Sequence, residues 1–568
     1  MKRVWQGLRA GRSRVAGHQF FDWLNSESVP LERRFVFSPV MIDFIMGFAD
    51  LNKWFLSYAQ PDNDLERAIN EHTEEDRTHS RLFYENWYTL PLGELAAWPP
   101  GKMLWWLFHS HDAEIVRRFG MDLLRLSARQ PDPLVRFPMM EAIEICGDVF
   151  FGHTAPIAAE LSRKHQVPHD YYGKYHRDRE TGHLQADEAP LLRASLSPIQ
   201  LAEAQVAVDH VFTMFCAVLD QLLDYGERSA DYRKMLLGLD GEFLDSVAPP
   251  RFRSTPAGAA EAEAEAEAEA EAEAEAEAEA EAEAEAEADA SLMAPPSLSQ
   301  LAVLRHLQEK MGRLSQHPFL AWLRATDDVE PRDRLRGFIA LWGVDIAGYK
   351  DFNELVLRYA EPQTPLEQAL NQWTRNLATH GSLFLRDWQA LQMDEMLTWD
   401  SGETIAFYFL GNETEVHRRN MAKVKHHAFG NANPLVRFWL IKALEDCGEA
   451  LFAVTAPLAR TVEAEEEVVL DYWAHRHYVA EPPGSMSPQQ ISALFLAQPL
   501  SAEQRSECCR VIDTIFENMT EQFELSLETA LKQVCVKHSR SLPPSRSSMI
   551  AARIVDGDVA VEAEKQAG

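Results

Sequence analysis

The sequence predicts an all-α protein made of two tandem copies of one helical bundle. Three observations carry this. No stretch shows the period-two alternation with hairpin turns that marks strands. Apolar residues recur at helical spacing through most of the chain. Long matches also repeat between the two halves. HQFFDWL at 18–24 returns as HPFLAWL at 317–323, and after a small indel the offset settles at 301. PLVRF at 133–137 recurs unchanged at 434–438, IEICGDVFFGHTAP at 143–156 matches LEDCGEALFAVTAP at 444–457, and DLN at 50–52 matches DFN at 351–353. DYYGKYH at 170–176 matches DYWAHRH at 471–477. A period of this length is too long for a solenoid and marks a duplicated domain.

Within the first copy the pattern predicts a run of helices. Ser38–Tyr58 is apolar at helical spacing, and Leu65–Leu90 reads as one long amphipathic helix. Lys102–His109 and Ala113–Ser127 are shorter helices. Leu134–Leu161 is apolar nearly all round, which predicts a central buried helix. Asp170–His183 is a polar helix. Ser197 and Pro198 form an N-cap and N1 pair opening a helix to about Tyr225. About seven helices of this kind make a compact bundle.

The predicted domains are residues 1–245, a linker over 246–298, a second bundle over 299–536 and a disordered tail over 537–568. The linker holds an Ala-Glu alternation, Glu261–Ala290. Both residues favour helix, but period two wraps Glu around every face, so the tract has no stripe with which to pack. It would span ~45 Å as a helix.

The chain has 568 residues, 46% hydrophobic and 10% aromatic, enough for each bundle to bury a core. The formal charge of −33 is inflated by the linker, whose fourteen Glu and one Asp leave −18 for the rest. That balance is still acidic and argues against nucleic acid as a partner. The six cysteines form no CxxC pair and predict reduced thiols in a cytoplasmic protein. The basic N-terminus lacks the apolar core of a secretory signal. No uninterrupted apolar run of ~18 residues suggests a membrane span.

The chemistry concentrates in DYYGKYHRDRETGHLQADE, residues 170–188. At about 100° per residue, Glu180 lies ~40° from His176, and His183 returns to within ~20° of it. One stripe therefore carries imidazole, carboxylate, imidazole, a donor set suited to iron, manganese or zinc. Bundle metal sites draw ligands from several facing helices. His79 lies on the long second helix, preceded by Glu71, His72, Glu74, Glu75 and Asp76. Glu144 sits midway along the buried helix, where a carboxylate is costly unless paired or bound to a cation. Glu141 competes with it one turn earlier. The set Glu71, His79, Glu144, His176, Glu180 and His183 suits two iron ions better than one structural zinc.

These motifs, in this order across about residues 15–225, resemble the haem-oxygenase-like diiron oxidases and oxygenases. Related in fold are the thiaminase-like proteins and pyrroloquinoline-quinone synthase. In that group a core helix supplies a Glu and then a His, a second helix a Glu, and a third a His-x3-Asp/Glu-x2-His. The resemblance implies two irons on the six residues above, with dioxygen and a small organic molecule as co-substrates. Amino-acid-like, amine or fatty-acid-like substrates are implied. Glu71 and His79 are ~80° apart on a regular helix, so either the helix bends there or Glu75 replaces Glu71.

The second copy keeps His380, Glu445, His477 and Glu481 at the positions of His79, Glu144, His176 and Glu180. It has Gln372, Asn376 and Gly484 at those of Glu71, Glu75 and His183. The C-terminal bundle is therefore predicted to be degenerate, with a role in packing or regulation. The two bundles are expected to pair within the chain or to form a homodimer. Elsewhere His153 is predicted to be structural, since it faces away from Glu144. His109 and His111 read as polar surface, with substrate binding as the alternative, and Arg117 and Arg118 as a solvated face, with a carboxylate clamp as the alternative. Two further functions fit the same bundle: a cofactor-free acid–base enzyme, and a non-catalytic interaction protein. The last predicts an exposed polar stripe and a Glu144 paired with Arg or Lys.

Overall fold

The structure is a computed structural model that describes residues 2–90, 92–178, 195–247, 295–325, 329–476 and 486–541, the side chains of Asn376 and 534–541 excepted. Among these residues the fold is all-α, with no strand. The first half comprises α1 (Lys2–Ala16), α2 (Gln19–Asn25), α3 (Ile42–Leu51), α4 (Asp64–Asp76), α5 (His79–Trp87), α6 (Pro100–Phe108), α7 (Glu114–Arg129), α8 (Pro133–His165), α9 (Pro198–Arg228) and α10 (Tyr232–Val247). The central helix α8 packs against α9 and α1, and α3 lies between α5 and α7. The predicted N-cap of α9 is present as a full capping box between Ser197 and Gln200. The tract Glu261–Ala290 lies outside the described residues.

The second half follows the same order. Pro365–Leu377 and Pro434–Glu466 match α4 and α8 in length and at the 301-residue offset. The repeated motifs are explained by what they hold. Arg136 of PLVRF donates to three backbone carbonyls, Leu56 (2.8 Å), Ser127 (2.9 Å) and Gln130 (3.2 Å). Arg437 repeats this with Leu357, Ala428 and Asn431. Each guanidinium also lies over a tyrosine ring, Tyr58 at 4.3 Å and Tyr359 at 4.4 Å. Leu56 and Leu357 end π-helical turns, where Ser57 N–H donates to Asn52 O and Arg358 N–H to Asn353 O. Such turns widen the backbone ladder and leave carbonyls needing outside donors, which the arginine supplies. The DYY and DYW turns are held likewise: Asn86 accepts from Tyr171 N–H, and its counterpart Asp387 accepts from Asp471 and Trp473 N–H.

Several expectations are corrected. Ser38–Tyr58 is not one helix but a 3-10 turn, α3 and the π turn Asn52–Leu56. Leu65–Leu90 is broken at Arg77–Thr78, between α4 and α5. The last helix, Ala502–Ser541, runs past the expected start of the tail at 537. Two helical stretches, Leu31–Leu56 and Pro198–Val247, are long and apolar enough by composition to cross a membrane. The test by uninterrupted apolar run missed them because scattered polar residues break both. The window in Leu31–Leu56 is 72% buried inside the protein, as a core segment would be.

Arg117 is not on a solvated face. It is buried and pairs with Asp351 of the other half at 2.6 Å. Its counterpart Arg418 pairs with Asp50, the counterpart of Asp351, at 2.9 Å. Arg125 donates to Leu355 O, and His426, at the matching position, lies 2.7 Å from Trp54 O. Contacts that repeat with the halves exchanged are the signature of a two-fold interface, here formed within one chain. Gly402 makes room for Tyr88, whose hydroxyl a Cβ at that position would overlap; that hydroxyl donates to Asp400 at 2.8 Å. His109 is half-buried against Gly381, again contrary to a polar-surface reading, whereas His111 is exposed. One continuous apolar core runs through both halves.

Candidate metal centre

Four segments of the first half bring ionisable side chains to one place. The α4 helix contributes His72 and Asp76, one turn apart and so on one face. The break at Arg77–Thr78 ends α4, and α5 then begins at His79. Helix α8 contributes Glu144 from its buried middle, and 174–178 starts the helix that carries His176.

His72 Nε2 lies 3.2 Å from Glu144 Oε1 and 3.3 Å from Asp76 Oδ2. One donor atom from each of these three residues falls within 4.8 Å of the other two. Asp76 Oδ1 is 3.9 Å from His79 Nε2. The His79 and His176 rings meet edge to face with centroids 4.3 Å apart. His176 Nδ1 lies 2.8 Å from Tyr171 O. A carbonyl only accepts, so Nδ1 carries the proton and Nε2 presents its lone pair. That orientation, fixed by a backbone oxygen, is how metal-ligating imidazoles are commonly held. Asp76, His79, Glu144 and His176 are all at least 95% buried.

Beside the cluster is a small cavity of about 60 Å³, lined by His79, Glu144 and His176 with Phe44, Phe48 and Phe151. Its walls are otherwise mainly apolar, which raises the strength of any electrostatic interaction inside it. Burial works against a charge on His72, but hydrogen bonds to Asp76 and Glu144 outweigh it and push the imidazole up to about 11. A proton on His72 thus bridges two carboxylates that a cation would otherwise bind.

His79, Glu144 and His176 are brought together. Glu71 is not with them: it is exposed on α4, as is Glu75. The inward positions of that helix belong to His72 and Asp76. The break between α4 and α5 means that a regular helix wheel does not carry phase from residue 71 to residue 79. Glu180 and His183 lie outside the described residues. Glu141 is buried but does not line the cavity. His153 is structural, 3.1 Å from Asn25 Nδ2 and stacked on Phe21.

His72 and Asp76 escaped the sequence reading. The signal was present in the duplication, since their counterparts are Trp373 and Leu377, a loss of two polar groups together. In the second half Trp373 Nε1 donates to Glu445, as an apolar substitute for His72 beside Glu144. His477 and Glu481 lie outside the described residues.

No family model matches the chain, and none of the curated proteins matches it in sequence.

Proposed function

We propose that the first half is an iron-dependent oxidase or oxygenase acting with dioxygen on a small organic substrate. The observation that carries this reading is the convergence of three imidazoles and two carboxylates, from four segments, beside an apolar cavity. The donors suit a borderline metal, which would take the place of the proton that His72 holds between Asp76 and Glu144. His72, Asp76, Glu144, His79 and His176 would hold the metal, with Glu180 and His183 of the same polar stripe as further ligands. Bound iron would supply the electrons and the Lewis acidity for work on dioxygen. The protein's own part is to fix His176 through Tyr171 O, to keep Glu144 and Asp76 dry, and to exclude water with Phe44, Phe48 and Phe151.

The burial of His176 and the pairing of Glu144 with His72 speak against a purely non-catalytic interaction protein. A cofactor-free acid–base enzyme is the weaker alternative, since an imidazolium locked between two carboxylates is a poor base at neutral pH. Anaerobic loading with ferrous iron followed by elemental analysis tests the proposal. About two irons per chain are expected for the full donor set, falling sharply in His176→Ala and Asp76→Ala with the helical circular dichroism retained. Unchanged iron in both variants would overturn the assignment.

A further inference from the structure

A second cavity lies in the second half, where the metal-type donors are depleted. It measures about 440 Å³, within the range of small-molecule sites and several times the cavity of the first half. Its position corresponds: Tyr349, His380, Glu445, Cys447 and Gly448 line it, and Phe48, His79, Glu144, Cys146 and Gly147 line the smaller one. The two cavities thus occupy matching positions and differ in size and lining.

Two features define what it would hold. Five aromatic side chains line it: Trp342, Tyr349, Trp373, Phe452 and Tyr472. Three carboxylates, Asp345, Glu445 and Glu449, line it too, and among the described residues no Lys or Arg does. Aromatic faces and carboxylates without a fixed cation form an environment for a positive charge on an apolar body. The nearby ammonium groups are engaged with neighbouring side chains, Lys423 with Asn518 of the cavity wall at 3.1 Å and Lys442 with Asp446 at 2.9 Å. Asp345 accepts from Gln522 at 3.1 Å and is paired with buried His417 at 2.5 Å. Glu449 pairs with His475 at 3.3 Å. Glu445 is different: it accepts a hydrogen bond from the neutral indole of Trp373.

We propose that this cavity of the C-terminal half is a binding site for a small organic cation, an amine with an aromatic or aliphatic body, seated among the five rings with its charge at Glu445. The inference is independent of metal binding in the first half. Burial pushes the Glu445 carboxyl up to about 8, against the hydrogen bond from Trp373 and the charge of Lys442, while Asp446 and Glu449 add to the rise. An ammonium at Glu445 supplies the opposite charge that would return it to an ordinary carboxylate.

The test uses the full chain and three probes of similar shape: 2-phenylethylammonium, 2-phenylethanol and 3-phenylpropionate. Isothermal titration at neutral pH is expected to show the cation binding at least tenfold tighter than the alcohol, and the anion not binding. Glu445→Gln keeps the shape and removes the charge; it should cost the cation at least tenfold and leave the alcohol unchanged. Gly448→Leu adds a side chain at a position whose Cβ meets nothing closer than Phe452 at 3.7 Å. It should fill the cavity and abolish binding of all probes. Equal affinity for cation and alcohol, no binding of the cation, or full affinity in Glu445→Gln would each overturn the proposal. Should Gly448→Leu fail to fold, the Glu445→Gln comparison decides alone.

Discussion

Removing Arg117 is expected to cost more than removing its two-fold counterpart Arg418. The side chains of Arg117 and Asp351 are 3% and 7% exposed, and those of Arg418 and Asp50 are 12% and 23% exposed. Breaking a buried pair by deleting one partner costs about 3–5 kcal/mol, because the other charge stays buried alone. Lys425 also faces Asp351 across the same interface cavity and compensates part of the charge, which places Arg117→Ala near 3 kcal/mol. Arg117 further donates to Ser110 O at 3.0 Å, so Ala also leaves a carbonyl behind. Arg418→Ala is expected at about 2 kcal/mol, its partner being better solvated. The assay is urea unfolding followed by circular dichroism, read as a double-mutant cycle with Asp351→Ala. The double variant should recover part of the single loss, since it leaves no unpaired charge. A loss below about 1 kcal/mol for Arg117→Ala, or strictly additive effects in the cycle, would refute the reasoning that this pair is a buried, coupled part of the interface.

Other outcomes follow from the same contacts. Arg136→Met and Arg437→Met should each destabilise by about 2–4 kcal/mol, because three carbonyls lose their donor in either case, and equal effects in the two halves would show in matched thermal shifts. Glu71→Ala and Glu75→Ala should leave iron loading unchanged, whereas His72→Ala should reduce it; metal analysis of the purified variants decides this. Burial pushes Asp43 and Asp50 each up to about 6, against attraction from Arg117 and Arg418 respectively. An acid raised in the folded state favours folding while protonated, so stability should fall as pH rises from about 4, the unfolded value, to about 6. Asp43→Asn should flatten that slope in chemical denaturation across the window, and an unchanged slope would show that other groups carry it.

Much of the helical architecture was legible because it rests on local rules. The capping pair Ser197–Pro198, the all-round apolarity of α8 and the repeat at 301 each act through near neighbours or through self-similarity. The errors lie where a backbone break or a distant partner decides. Nothing in residues 65–90 is a helix breaker of the Gly or Pro kind, yet α4 and α5 part at Arg77–Thr78, and that shift of phase replaces Glu71 by His72 and Asp76 at the inward face. Arg117 has the composition of a surface residue, and only Asp351, 234 residues away, makes it a buried one. His109 was misread for the same reason, since Gly381 of the other half covers it. Glu144 was legible because a carboxylate in the middle of an apolar helix needs a partner wherever the partner comes from.

The two halves separate what holds the fold from what varies around one buried glutamate. Arg136 and Arg437, Tyr58 and Tyr359, Asn70 and Asn371 keep the same bonds in both, down to the paired hydrogen bonds between Asn70 and Tyr58 and between Asn371 and Tyr359. The carboxylates Glu144 and Glu445 stand at the same turn of the same helix, so the scaffold offers each the same place. Their surroundings differ at several matched positions, with Asp345 for Phe44, Asn420 for Phe119, and Trp373 and Leu377 for His72 and Asp76. With His72 and Asp76 beside it, Glu144 joins a dense cluster of donors around a cavity too small for a drug-sized ligand. With Trp373 and Leu377 there, Glu445 faces an open, ring-lined space. Substitutions at matched positions thus set a small, donor-lined space in one half against a larger, ring-lined one in the other, within a backbone stitched by the same bonds in both.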